Sequence, residues 1–213
     1  MSYPVLYSFR RCPYAIRARL ALRASAVQVA LREVVLADKP EALRERSAKA
    51  TVPVLVVNDL EVIEESLDIM MWALQQNDPQ RWLLTDDQLI AESKRLITAN
   101  DIEFKPWLDR YKYADRFPEY PMEYYRGQAE VFLSQLEEVL TRSPFLLSDN
   151  PTLADMAIFP FIRQFANVDK QWLENSPYPF LQAWLAKLLQ LPLFASVMEK
   201  YPQWKVGDPE VIF

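Results

Sequence analysis

Arg10-Arg11-Cys12-Pro13-Tyr14-Ala15-Ile16-Arg17 is the densest chemical cluster in the chain, and the fold reading turns on it. Just before it, Val5-Leu6-Tyr7 reads as a short strand. Pro13 then opens a segment running to Ala24, with Ile16, Leu20 and Ala24 at helical spacing. Proline is favourable in a first helical turn, where its missing N–H had no partner. The only thiol therefore falls at a strand-to-helix junction. Free N–H groups at a helix start carry partial positive charge and the arginines add more, so both favour thiolate. Thiols in such settings titrate at about 3.5–7.5 instead of about 8.5. The competing reading is a small, inert, buried hydrophobe. It loses ground because the neighbours are arginines and a proline, not an apolar run.

Downstream, Val27 to Leu36 alternates as a second strand and Pro40 to Ser47 reads as a short charged helix. Val52-Pro53-Val54-Leu55-Val56-Val57 is a buried-type β run, closed by the turn signal Asn58-Asp59. Glu61-Val62-Ile63 follows as its hairpin partner, and Ser66 to Gln76 turns helical. The order β-α-β-α-β-β-α is a small α/β unit, too short for a dinucleotide-binding domain. Asn77-Asp78-Pro79-Gln80 looks like a linker. Beyond it strand patterns stop. Amphipathic helices are predicted at about Asp86 to Tyr113, Pro121 to Thr141, Leu153–Phe165, Pro179–Leu189 and Leu191–Lys200. Pro160, inside one of them, predicts a kink or an early end. The expected organisation is an α/β domain at residues 1–76, a linker at 77–85 and an all-helical domain at 86–213.

Composition excludes several chemistries. With no histidine there is no Ser-His-Asp or Cys-His unit and no imidazole metal site. One cysteine forbids an internal disulfide and any multi-thiolate metal or iron-sulfur site. Gly127 and Gly207 are the only glycines and lie far apart, so glycine-rich phosphate loops are absent. The net charge of −5 argues against a nucleic-acid binder that works through bulk positive charge. Ten Lys/Arg face nine Asp/Glu in residues 1–76, against fourteen and twenty in the remainder. A small anionic ligand would find the N-terminal third the more welcoming part. Met1-Ser2-Tyr3-Pro4 lacks a signal-peptide build and no apolar run is long enough to span a bilayer, so a cytoplasmic protein without membrane contact is expected.

Ser8-Phe9-Arg10-Arg11-Cys12-Pro13-Tyr14-Ala15-Ile16-Arg17-Ala18-Arg19-Leu20 resembles the active-site segment of omega-class glutathione transferases, where a Cys-Pro-Phe/Tyr-Ala run opens the first helix of a thioredoxin-like domain. The resemblance continues at Leu36-Ala37-Asp38-Lys39-Pro40-Glu41, Thr51-Val52-Pro53-Val54-Leu55, Glu65-Ser66 and Pro151-Thr152-Leu153-Ala154-Asp155. No single anchor is specific, but the ordered set spans most of the chain. It implies a thioredoxin-like N-terminal domain, an all-α C-terminal domain, glutathione as cosubstrate with no metal, and a homodimer. One departure is Ala50-Thr51, which stands where many relatives carry glycine before the Val-Pro pair.

By this resemblance Cys12 is the catalytic residue, with Tyr14, Leu36, Lys39, Val52, Pro53, Glu65 and Ser66 holding glutathione. Val52-Pro53 suits a cis bond that turns an unpaired strand edge toward a peptide ligand; an ordinary trans proline is the alternative. Ser66 and the N–H groups near it suit a carboxylate and Glu65 an ammonium, while plain N-capping by Ser66 is the bland reading. Lys39 is implied to contact the glycine carboxylate. Tyr14 either stacks beside the cysteine or fills the core. Thr152 and Asp155 have the spacing of a capping box and read as structural.

The expected activity is monothiol exchange, with Cys12 forming a mixed disulfide with glutathione, because a thiol can perform that exchange and a hydroxyl cannot. Ala15 stands where dithiol relatives have a resolving cysteine. Deglutathionylation and dehydroascorbate reduction belong to this chemistry. The alternatives are a conjugating transferase using Tyr7 or Ser8, and a binding protein that keeps the fold without catalysis. A small electrophilic or glutathionylated second substrate is expected against the aromatic helical half, at Phe104, Trp107, Tyr111 and Tyr124, although each of these also reads as ordinary core.

Overall fold

In the computed structural model, which describes residues 3–213, β1 (Val5–Ser8) is the middle strand of a five-stranded mixed sheet. Met1 and Ser2, part of the segment read above for a signal-peptide build, lie outside the described residues. β2 (Ala30–Glu33) pairs parallel with β1, and β3 (Val54–Val56) pairs antiparallel on its other side. β4 (Val62–Ile63) closes a hairpin with β3, and β5 (Val211–Ile212) pairs antiparallel with β2. The order across the sheet is β4-β3-β1-β2-β5. Leu6, Tyr7 and Ser8 are all buried, so both faces of the central strand are covered. Tyr7 packs with Val34, Leu43, Val52, Val54 and Val56 in one cluster. α1 (Pro13–Ala24), α2 (Glu41–Arg46) and α3 (Ser66–Gln76) complete this part, with α1 packed on α3. α1 is buried along nearly its whole length, including Arg17 and Arg19.

Residues Trp82–Gln190 form a second compact unit, which is all helical. Its helices are α4 (Asp87–Thr98), α5 (Lys105–Lys112), α6 (Met122–Leu140), α7 (Leu153–Ala166), α8 (Lys170–Glu174) and α9 (Pro179–Leu189). The sequence predicts one helix from Asp86 to Tyr113. The chain is helical across that stretch, but Ala99–Phe104 is wound as a π-helix between α4 and α5. Pro106 explains the change: it has no N–H for a partner four residues back, and a widened turn just upstream absorbs the mismatch.

α7 begins at the expected capping box. Thr152 donates to Asp155 Oδ2 from both its N–H and its hydroxyl, each at 2.8 Å. The Leu146 N–H and Trp184 Nε1–H donate to Oδ1 at 2.9 and 2.8 Å. Burial pushes the Asp155 carboxyl above its ordinary value against these four bonds, which pull the other way. Of the two outcomes expected at Pro160, a kink or an early end, the early end does not occur, and α7 continues to Ala166. Ala154 through Ile162 are all buried, and that packing outweighs the cost of about 3 kcal/mol for a proline inside a helix. Among the described residues no helix is long and apolar enough to cross a membrane.

Residues Leu191–Phe213 group with residues 1–81, not with the helices before them. The sequence alone places residues 86–213 in the helical part. α10 (Pro192–Val197) packs on α1, and β5 joins the sheet through Leu31↔Val211 and Ala30↔Ile212. A two-residue strand is too short for alternation to announce it.

Candidate active site

The turn Phe9–Cys12 joins β1 to α1. The Cys12 N–H donates to the Phe9 carbonyl at 3.0 Å, and the Cys12 carbonyl accepts from the Ile16 N–H at 2.9 Å. The half-buried thiol therefore stands at the N-cap of α1, with Pro13 in the first turn. Its Sγ lies 3.7 Å from the Val52 carbonyl oxygen. The Val52-Pro53 peptide is cis, and both residues are buried just ahead of β3. The two arginines before the cysteine have other partners. Arg10 reaches the Met198 carbonyl at 3.5 Å, and the exposed Arg11 lies 5.3 Å from the Phe9 ring centroid. The helix start is the element that remains in direct continuity with the sulfur.

Behind this turn Arg17, only 3% exposed, donates from Nε to Ser66 Oγ at 2.9 Å. Its guanidinium lies 5.0 Å from the centroid of the half-buried Tyr14 ring. A serine oxygen that accepts from arginine still has its own O–H to donate elsewhere. The plain-capping reading of Ser66 is corrected: Ser66 is the first residue of α3, Glu65 is the N-cap, and no side chain caps the helix. Amide N–H groups of that first turn, beside a buried cation, suit a carboxylate. Glu65 is exposed and takes the Lys49 ammonium at 2.5 Å, a bond that lifts Lys49 above its usual range. Glu65 thus already faces an ammonium group. The reading above missed Arg17 and Lys49. Arg17 had a signal, since Pro13, Arg17 and Ala21 share the i, i+4 spacing of one helix face. Lys49 had none, because its approach to Glu65 depends on how two loops fold.

Leu36 and Lys39 lie on a separate turn after β2, tied by the Val35–Asp38 bridge. Leu36 is exposed and Lys39 half-buried, and Asp38 of that turn accepts from Gln203 Nε2 at 2.9 Å. Tyr7 and Ser8, the rival hydroxyls, are both buried. Tyr7 accepts from Arg32 Nη1 at 2.5 Å. Of the aromatics expected to face a second substrate, Phe104 and Tyr111 are core instead. Their rings lie 5.8 and 4.9 Å from that of Phe165. Trp107 is half-buried and Tyr124 exposed, with ring centroids 6.5 Å apart.

Two family models match this chain: "Glutathione S-transferase, N-terminal domain" over residues 6–82 and "Glutathione S-transferase, C-terminal domain" over residues 105–187. Glutathione S-transferase omega-1 of Mus musculus is 25% identical over 193 residues, covering 90% of this chain and 78% of the relative. A probable maleylacetoacetate isomerase of Caenorhabditis elegans is 28% identical over 201 residues, covering 91% and 92%. Among solved structures, a Tau class glutathione S-transferase from mango, Mangifera indica, superposes with a TM-score of 0.79 at 21% identity, covering 93% of each chain. A glutathione transferase family member from Pseudomonas fluorescens, with two glutathione bound, gives a TM-score of 0.80 at 18% identity and the same coverage.

Proposed function

Because the chain belongs to the glutathione S-transferase family, we propose that it is a glutathione-dependent thiol transferase acting through Cys12. The observation that carries this reading is the placement of the only thiol at the N-cap of α1, beside the Val52 carbonyl and the cis Pro53. Glutathione would lie along residues 52–53, with its cysteinyl part on the Val52 backbone. Its γ-glutamyl carboxylate would take the Ser66 O–H and the first-turn N–H groups of α3, and its ammonium would join Glu65. Tyr14, Leu36, Lys39 and Pro53 complete the proposed contacts.

The Cys12 thiolate attacks the glutathionyl sulfur of a mixed disulfide. The new bond joins Cys12 Sγ to glutathione, and the substrate leaves as a thiolate that takes a proton from water. A second glutathione thiolate then attacks the Cys12-bound glutathione, releasing glutathione disulfide and the Cys12 thiolate. With no second cysteine, the resolving thiol must come from glutathione. Both substrates and a homodimeric, cytoplasmic setting, where glutathione is kept reduced, belong to the same proposal. Conjugation through Tyr7 or Ser8 is disfavoured, since Tyr7 is bound by Arg32 and Ser8 is wholly buried.

Steady-state assays on a mixed disulfide, dehydroascorbate and an aryl halide test the reading. In Cys12→Ala the first two activities should vanish while any aryl-halide conjugation remains. Thiol transfer persisting at the wild-type rate would contradict it. Activity toward the aryl halide alone would assign the fold to conjugation.

A further inference from the structure

We propose that Glu33 is a positioning residue for Cys12, its carboxylate, paired with the buried Arg19, fastening the Cys12 turn to the end of β2 and to the C-terminal segment. This rests on the reading of Cys12 as the nucleophile. Glu33 Oε1 accepts from the Arg10 backbone N–H at 2.6 Å, two residues before the thiol. Its Oε2 lies 3.6 Å from Nη1 of Arg19, a side chain with no exposure. Its backbone carbonyl accepts from the Trp204 N–H at 2.9 Å. The same C-terminal segment receives Arg10 at the Met198 carbonyl and places Tyr201 and Phe213 against Arg19, with ring centroids 5.7 and 5.1 Å from its guanidinium. One residue thus joins the catalytic turn, the first helix and residues 198–213.

The charged and titratable groups around Glu33 are Arg10 of the turn and Arg19 of α1, with Arg23 and Tyr201 behind Arg19. Burial pushes the Glu33 carboxyl above its ordinary value, against the Arg10 amide and the two guanidiniums that hold it down. Protonation weakens the bond to the Arg10 N–H and removes the countercharge of Arg19. The turn then loosens, and Cys12 shifts from its place at the N-cap of α1, beside the Val52 carbonyl. Acting merely as a nearby negative charge, Glu33 would do the reverse and hold the thiol protonated, so removing it would free the thiolate. The two roles therefore predict opposite signs.

The test is the pH profile of Cys12 alkylation by iodoacetamide, read by intact mass, in wild type, Glu33→Gln and the double variant Glu33→Gln/Arg19→Gln. The chain has one cysteine, so the adduct reports Cys12 alone. Positioning predicts that the alkylation profile moves up by about one pH unit in both variants, so that below the wild-type midpoint alkylation is about tenfold slower. The plateau at alkaline pH should be unchanged, and glutathione affinity should be preserved. An unshifted profile in a folded variant, or faster alkylation at neutral pH, overturns the proposal. Should neither variant fold, the wild type decides by NMR: the Cys12 Cβ shift must show a step where the Glu33 carboxyl titrates, and a Cys12 that ignores it overturns the proposal. A profile that depends on Glu33 in a protein with no thiol-transfer activity supports the positioning role and removes the function proposed above.

Discussion

Ala50 has a φ of 46°, in the left-handed region, where a Cβ crowds the backbone by roughly 1–2 kcal/mol. It belongs to the Ala50-Thr51 pair read in the sequence as a departure from glycine, just ahead of Val52-Pro53. Ala50→Gly should therefore stabilise the protein by about 0.5–1 kcal/mol after the entropy cost of glycine is deducted, read by chemical denaturation. No gain would mean that the loop is not strained. Glu65 allows a second expectation. Glu65 is solvent-exposed, so Glu65→Ala should weaken glutathione binding only modestly, by roughly fivefold or less in Kd by calorimetry. Ser66→Ala should cost at least as much, because its hydroxyl is buried and oriented by Arg17. A fivefold loss at Lys39 with none at Glu65 would reverse the proposed orientation of the ligand.

The capping box that opens α7 gathers four hydrogen bonds on one buried carboxyl group. Asp155→Ala leaves the Leu146 N–H, the Trp184 Nε1–H and the Thr152 donors without their acceptor in a buried setting. The expected loss is about 3 kcal/mol, seen as a lower denaturation midpoint. That loss should shrink as pH rises. Burial holds the folded pKa of Asp155 above its ordinary 3.8, so the folded state binds the proton more tightly than the unfolded state. The contribution of the carboxyl to stability is then largest below that value and declines as pH rises through the folded pKa. A difference between wild type and variant that grew with pH would contradict this. α7 also shows what sequence makes legible. Thr152 and Asp155 are local, three residues apart, and so was the cue of Cys12 beside Pro13. The helix runs on past Pro160 because the proline's cost is local while the burial that outweighs it is tertiary. The π-helix at Ala99–Phe104, β5 and the pairing of Lys49 with Glu65 all depend on partners distant in sequence or on backbone register, which periodicity does not carry.

The proposed glutathione contacts, from Cys12 to Ser66, all lie within residues 1–81 of the first unit, which residues 191–213 complete. Glutathione should therefore raise the stability of the native protein by about 2.7 kcal/mol at a hundredfold excess over its Kd. Amide exchange should slow around residues 12–17, 49–53 and 65–69. Protection confined to the helical unit would place the ligand elsewhere. The most direct measurement of the central claim is the intact mass of the full chain after incubation with glutathione disulfide. The account predicts a gain of one glutathione, reversed by reductant and absent in Cys12→Ala, since no other thiol exists to carry it. A wild-type mass that does not change, in a protein that binds and conjugates glutathione, would contradict the account and return the chemistry to a hydroxyl.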